Sequence, residues 1–162
     1  MSTASDEAWF SSLGARLGEA EKADIAAYLG GLGLPADLSV REASTWEEAA
    51  DLCRQPAGRW WQAEEIERAR LEGSARLDLA NPAWLQMTER LHGAAAVAAA
   101  RFGCADAALI RVAAGAATYA AYQQRLAQAA GAPPTHPFLR KYALYCAGHW
   151  PLGVYDERFA IF

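Results

Sequence analysis

Alanine dominates the middle of this chain, and that bias limits what the chain can fold into. The stretch HGAAAVAAARFGCADAALIRVAAGAA, beginning at His92, is built mostly from the strongest helix former. Alanine buries little area per residue, so helices made of it cannot generate a core among themselves. The anchors must come from the 6 Trp, 6 Tyr and 5 Phe, together with the leucines. Arg101, Asp106 and Arg111 interrupt the stretch, so it does not read as a membrane span. The expected fold is all-α, a multi-helix bundle of about five to seven helices with a small C-terminal β-hairpin as its only sheet.

At 162 residues the chain fits a single domain. Within it, residues 1–55 form an N-terminal helical portion, 56–58 a candidate linker in QPAG, 59–148 the main bundle and 149–162 the hairpin. Ser5 followed by Asp6 and Glu7 predicts a capped helix carrying Phe10, Leu13 and Leu17, and a second helix is expected from Glu19 to Leu29. LSVREAS reads as a short strand or as extended chain. Ser44 with Glu47, or Thr45 with Glu48, has capping-box spacing for a helix that stops before Pro56. Asn81-Pro82 predicts a helix start, with Trp84, Thr88, Leu91, Ala95, Ala99 and Phe102 near a 3.6 period. A long helix follows from Ala107 to Ala130, whose Ala113, Gly115, Ala116, Ala117 and Ala120 leave a smooth surface for a close neighbour. Pro137 opens the last helix, and Gly148 fits the position just past its end.

Glu64, Arg68, Glu72 and Arg76 alternate in sign at i, i+4, which predicts a solvated face where reversing Arg68 costs little. Trp60 and Trp61 point about 100° apart on that helix, so they do not share one face and one of them is expected at the rim of a groove. In the tail, WPLGVY and RFAIF flank Asp156-Glu157 as two β-prone runs, although the turn pair lacks the glycine a tight hairpin prefers. Alternation puts Phe159 and Ile161 on one face and Phe162 on the other. So apolar an ending predicts a lid over the core, or an edge for a second subunit.

Chemistry-bearing motifs are sparse. Glu89-Arg-Leu-His92 has the Glu-x-x-His spacing of di-iron bundle helices, but no Asp or Glu lies between Asp106 and Asp156 to complete such a site. Cys146-Ala-Gly-His149 offers two zinc-type ligands where structural zinc takes four. No metal and no cofactor is therefore expected, and no catalytic residues are assigned. The remaining candidates are a ligand pocket between helices near His92, Glu89, Tyr119 and Tyr122, and an interface built on Trp60, Trp61, Trp150 and Phe162.

Formal charge is −4, which weighs against nucleic-acid binding. It divides unevenly, with a net of −6 up to Arg101 and +2 beyond it. MSTASDEAWF has neither a basic nor an apolar leader region, and the 3 cysteines are widely spaced, the usage expected of buried, reduced thiols in the cytoplasm. The chain therefore reads as a non-enzymatic cytoplasmic interaction protein, an adaptor or neutraliser, partnered by another protein or by a second copy of itself. The alternative is a small-molecule-binding protein or enzyme using the pocket near His92. Neither reading involves a membrane.

Overall fold

Local signals set most of the element boundaries. In the computed structural model, which describes residues 8–55 and 58–162, Asn81 caps a 20-residue helix by accepting a hydrogen bond from the Ala83 amide, with Pro82 as its first residue. Thr45 caps another, its hydroxyl accepting from the Glu48 amide while Glu48 accepts from the Ser44 amide. In order the elements are α1 (Ala8–Ser11), α2 (Glu19–Gly31), β1 (Ser39–Glu42), α3 (Trp46–Arg54), α4 (Gly58–Glu72), α5 (Pro82–Arg101), α6 (Ala107–Ala129), α7 (Pro137–Cys146), β2 (Pro151–Tyr155) and β3 (Arg158–Ile161). The expected Ser5 cap, and Pro56 of the candidate linker, lie outside the described residues.

The expected first helix ends earlier than its apolar spacing suggests. Among the described residues α1 ends at Ser11, and Gly14, in the left-handed region at φ +85°, turns the chain so that Leu13 and Leu17 sit in the connection to α2. Both Gly14 and the end of α7 are tied down there, the Gly14 amide donating to the Gly148 carbonyl at 3.1 Å. Gly148 itself has φ +90°, and a Cβ on it would stand 2.3 Å from the Ser12 carbonyl oxygen, so only glycine fits.

The mostly helical fold closes with a small β element, but that element is larger than a hairpin. β2 pairs antiparallel with β3, and β1 joins the other edge of β3 in parallel, Ser39 opposite Arg158 through Glu42 opposite Ile161. LSVREAS is thus a strand, and the tail strand β3 is the centre of the sheet. The turn between β2 and β3 places Asp156 and Glu157 at φ 48° and 57°, the left-handed pair of a type I′ turn without its usual glycine.

α6 is the hub, touching α3, α4, α5 and α7. Its buried face is nearly all alanine (Ala113, Ala114, Ala117, Ala120, Ala121), and this smoothness lets four helices gather round one. The bulky anchors lie elsewhere. Trp46, Trp150 and Phe162 form one cluster, with Trp46 and Trp150 ring centres 5.6 Å apart. Phe159 and Ile161 join Tyr28, Leu29 and Leu144 in a second, so alternation along β3 divides its side chains between two cores as expected. Leu71, Leu126, Ala127 and Phe138 make a third. Among the described residues, no helix is long and apolar enough to cross a membrane.

Candidate functional site

The site begins with α4, whose charges do not behave as a solvated ladder. Glu64 is 2% exposed, and its Oε1 accepts from Lys141 Nζ of α7 at 2.7 Å and from the Tyr28 hydroxyl of α2 at 2.5 Å. Lys141 Nζ also donates to Gln123 Oε1 at 3.0 Å, and Trp60 Nε1 donates to the Tyr28 hydroxyl at 2.7 Å. Arg76 lies beyond the end of the helix. Arg68 is half-buried, donating to Glu65 and, at 2.6 Å, to Glu72. The spacing rule failed because four glutamates of α4 turn toward neighbouring helices that carry matching donors.

Those donors are specific. Glu65 accepts from the Tyr119 hydroxyl at 2.5 Å, and Glu72 from the Tyr122 hydroxyl. Glu67 Oε1 lies 2.7 Å from His136 Nε2. Because His136 Nδ1 accepts from the Phe138 amide as the cap of α7, the ring proton sits on Nε2 and is donated to Glu67. The Arg68 guanidinium holds the Glu65 carboxyl below the ordinary carboxylate value, the Arg70 guanidinium does so for Glu67, and the Tyr122 hydroxyl bond does so for Glu72. Burial, reinforced by the bonds to Glu65 and Glu72, raises the pKa values of Tyr119 and Tyr122 above the ordinary phenol value. Both phenols stay protonated at neutral pH and act only as donors to α4.

This seam shapes the surface beyond it. With their hydroxyls turned to α4, Tyr119 and Tyr122 stack at 6.3 Å and line a groove between α5 and α6. Trp84 meets Tyr122 edge to face at 6.2 Å, and Leu79 stands at the same mouth. The groove has a volume of about 570 Å³ and is lined further by Thr88, His92, Gly115 and Thr118, with Arg111 at the far end. Thr88 donates its hydroxyl back to the Trp84 carbonyl at 3.1 Å. A Cβ added at Gly115 would meet nothing within 4 Å, so this glycine leaves open space instead of admitting a neighbouring helix.

The ligand candidates therefore come partly together: His92, Tyr119 and Tyr122 line one groove, while Glu89 is exposed outside it. The interface candidates separate. Trp60 is half-buried and covers Lys141, the ammonium 5.4 Å from its ring, whereas Trp61 is 54% exposed. Trp150 and Phe162 are packed in the aromatic core of their own chain. Sequence reasoning missed Trp84, Arg111, Gly115 and Thr118 as groove residues. A glycine in mid-helix was the available signal, since it costs about 1 kcal/mol against alanine and so calls for a reason to be there. Cys53, Cys104 and Cys146 are free thiols, half-buried, buried and exposed respectively. Among the described residues, no three His, Cys, Asp or Glu side chains are grouped to hold a metal ion. Comparison with known protein families, curated proteins and solved structures gives no match to this chain.

Proposed function

We propose that this chain is a non-enzymatic protein-binding module, an adaptor or neutraliser, that receives an apolar segment of a partner protein in the α5–α6 groove. The observation that carries this reading is the groove's lining: two stacked phenol rings and an indole, with both phenol hydroxyls already committed to Glu65 and Glu72. No Asp, Glu or Cys lines it, which leaves His92 without a carboxylate or thiol beside it in the groove. The groove is open, and Leu79 and Leu85 nearby are 46% and 55% exposed, which suits a macromolecular partner. A small apolar ligand is the second reading, supported by a volume inside the usual range of about 300–1,000 Å³ for ligand pockets. Three free thiols suit a reducing cytoplasm, and a net charge of −4 weighs against nucleic acid.

Photo-crosslinking tests the reading. Benzoylphenylalanine at position 118 should give a discrete protein adduct in cells, and Gly115→Leu, which fills the groove, should abolish it without lowering the melting temperature. Adducts that persist with the groove filled contradict the reading. An adduct of small-molecule mass, lost on filling, favours the ligand alternative.

A further inference from the structure

We infer that the cavity bounded by the α1–α2 connection, the end of β1 and the end of α7 binds a small protonated amine, a ligand separate from the occupant of the α5–α6 groove. The cavity has a volume of about 210 Å³ and is bordered by Gly14, Leu17, Glu42, Phe102, His149 and Phe162. At about 30 Å³ per molecule that is space for about seven waters, or for a small organic cation.

His149 carries the inference. α7 ends in a Schellman motif, with the Gly148 amide donating to the Tyr145 carbonyl and the His149 amide to the Leu144 carbonyl, each at 3.0 Å. The side chain at this second position past the helix commonly makes an apolar contact back to it, so the motif does not call for an imidazole. Yet His149 is 3% exposed, and its Nε2 is buried with no hydrogen-bond partner among the described residues. Burying such a group costs stability unless something bonds to it. Burial pushes the imidazole below its ordinary value, against the pull of Glu21 and Glu42, so at neutral pH the ring is uncharged and keeps one nitrogen that accepts.

Glu42 supplies the charge. It is the last residue of β1, is exposed where it borders the cavity, and makes no hydrogen bond or ion pair among the described residues. Glu21, by contrast, is bound to the Gly18 amide at 2.9 Å. No Lys or Arg is among the described residues that border the cavity. Nearby, Arg41 is paired with Glu48 at 2.7 Å, and Arg101 is held by the Phe10 and Ser11 carbonyls. An ammonium group suits this set, because it can donate both to the Glu42 carboxylate and to the imidazole. The Phe102 and Phe162 rings, 5.0 Å apart between centres, give its attached carbons an apolar wall. A carboxylate ligand would meet Glu42 as a like charge, so the arrangement selects as well as attracts.

Three probes of one size separate the chemistry: n-butylammonium, 1-butanol and butyrate, each titrated into the full chain near neutral pH. The readout is the long-range nitrogen–proton NMR spectrum of the histidine rings. n-Butylammonium should shift the His149 signals saturably and leave those of His92 and His136 in place. It should bind about fivefold or more tightly than 1-butanol, and butyrate should not bind. Glu42→Gln, a change at an exposed and unbonded side chain, should erase the preference for the ammonium with the thermal melt unchanged. Equal binding of the three probes, or a preference for butyrate, overturns the amine. Ammonium binding undiminished in Glu42→Gln places the cation elsewhere and overturns the proposal as well. No shift of the His149 signals with any probe overturns the site and leaves the cavity to ordered water.

Discussion

α3 and α4 are neighbours in the chain and both pack against α6, yet opposite kinds of chemistry hold them. α3 inserts Trp46 into an aromatic cluster with Trp150, Phe102 and Phe162. α4 docks through Glu64, Glu65, Glu67 and Glu72, each accepting from a Tyr, Lys or His side chain on α2, α6 or α7. Aromatic burial is non-directional and scales with area, so it stabilises the tail sheet whatever the pH. Carboxylate docking is directional and conditional, because it needs deprotonated acids and protonated phenols. The conditional half of the molecule is the half that shapes the groove.

The largest effects should come from breaking the aromatic side. Phe159→Ala should cost about 3–5 kcal/mol in a denaturant titration, since the ring is fully buried. Deleting Phe159 to Phe162 removes the central strand β3 and should prevent folding, because total stability is typically only about 5–15 kcal/mol. A truncated chain that melts normally would show that the tail is not the core's lid.

Breaking the polar side should come next. Lys141→Met leaves the Glu64 carboxylate buried without its cation and should cost about 3–5 kcal/mol. Combining it with Glu64→Leu should restore much of that loss, since a buried pair replaced by apolar groups is often near neutral. If the double variant is as unstable as the single one, the pair is not the unit that holds α4. Arg68→Glu should cost more than the about 0–1 kcal/mol of an exposed pair, because it sets three carboxylates side by side where Arg68 now bridges Glu65 and Glu72.

The contrast also explains what could be read from the residues alone. Caps and breaks such as Thr45, Asn81-Pro82 and Gly148 act locally, so the helices they bound were legible. The mostly helical fold with a small β element at its end was legible too, from periodicity and the tail's alternation. The partner of LSVREAS was not, because Ser39 pairs with Arg158 far along the chain and no local pattern encodes that. Nor was the burial of Glu64. A glutamate four residues from an arginine looks the same whether it faces water or a lysine on another helix. Tyr119 and Tyr122 share a face of one helix by their spacing, whereas His92, Arg111 and Gly115 join them along one groove only once α5 and α6 are side by side.

The smallest effect expected is a gain. Asp156 and Glu157 both occupy the left-handed region that asparagine and glycine enter more easily, so replacing the pair by Asn-Gly should stabilise the protein by about 1 kcal/mol. No gain in a thermal melt would mean the two side chains offset their backbone cost elsewhere.

pH separates the two halves most directly. Glu65, Glu67 and Glu72 have folded pKa values below the ordinary 4.5, so the stability they contribute is complete above that value and drains as pH falls through the folded values. Tyr119 and Tyr122 are shifted upward from 10.0, so their contribution is complete below that value and is lost as pH climbs through the raised ones. Amide hydrogen exchange followed from neutral pH down through the carboxylate range reads this residue by residue. The account predicts that amides of residues 58–72 lose protection first, while those of α3, β2 and β3 stay protected. Simultaneous loss across the molecule, or loss in the tail sheet before α4, would contradict the claim that carboxylates dock α4.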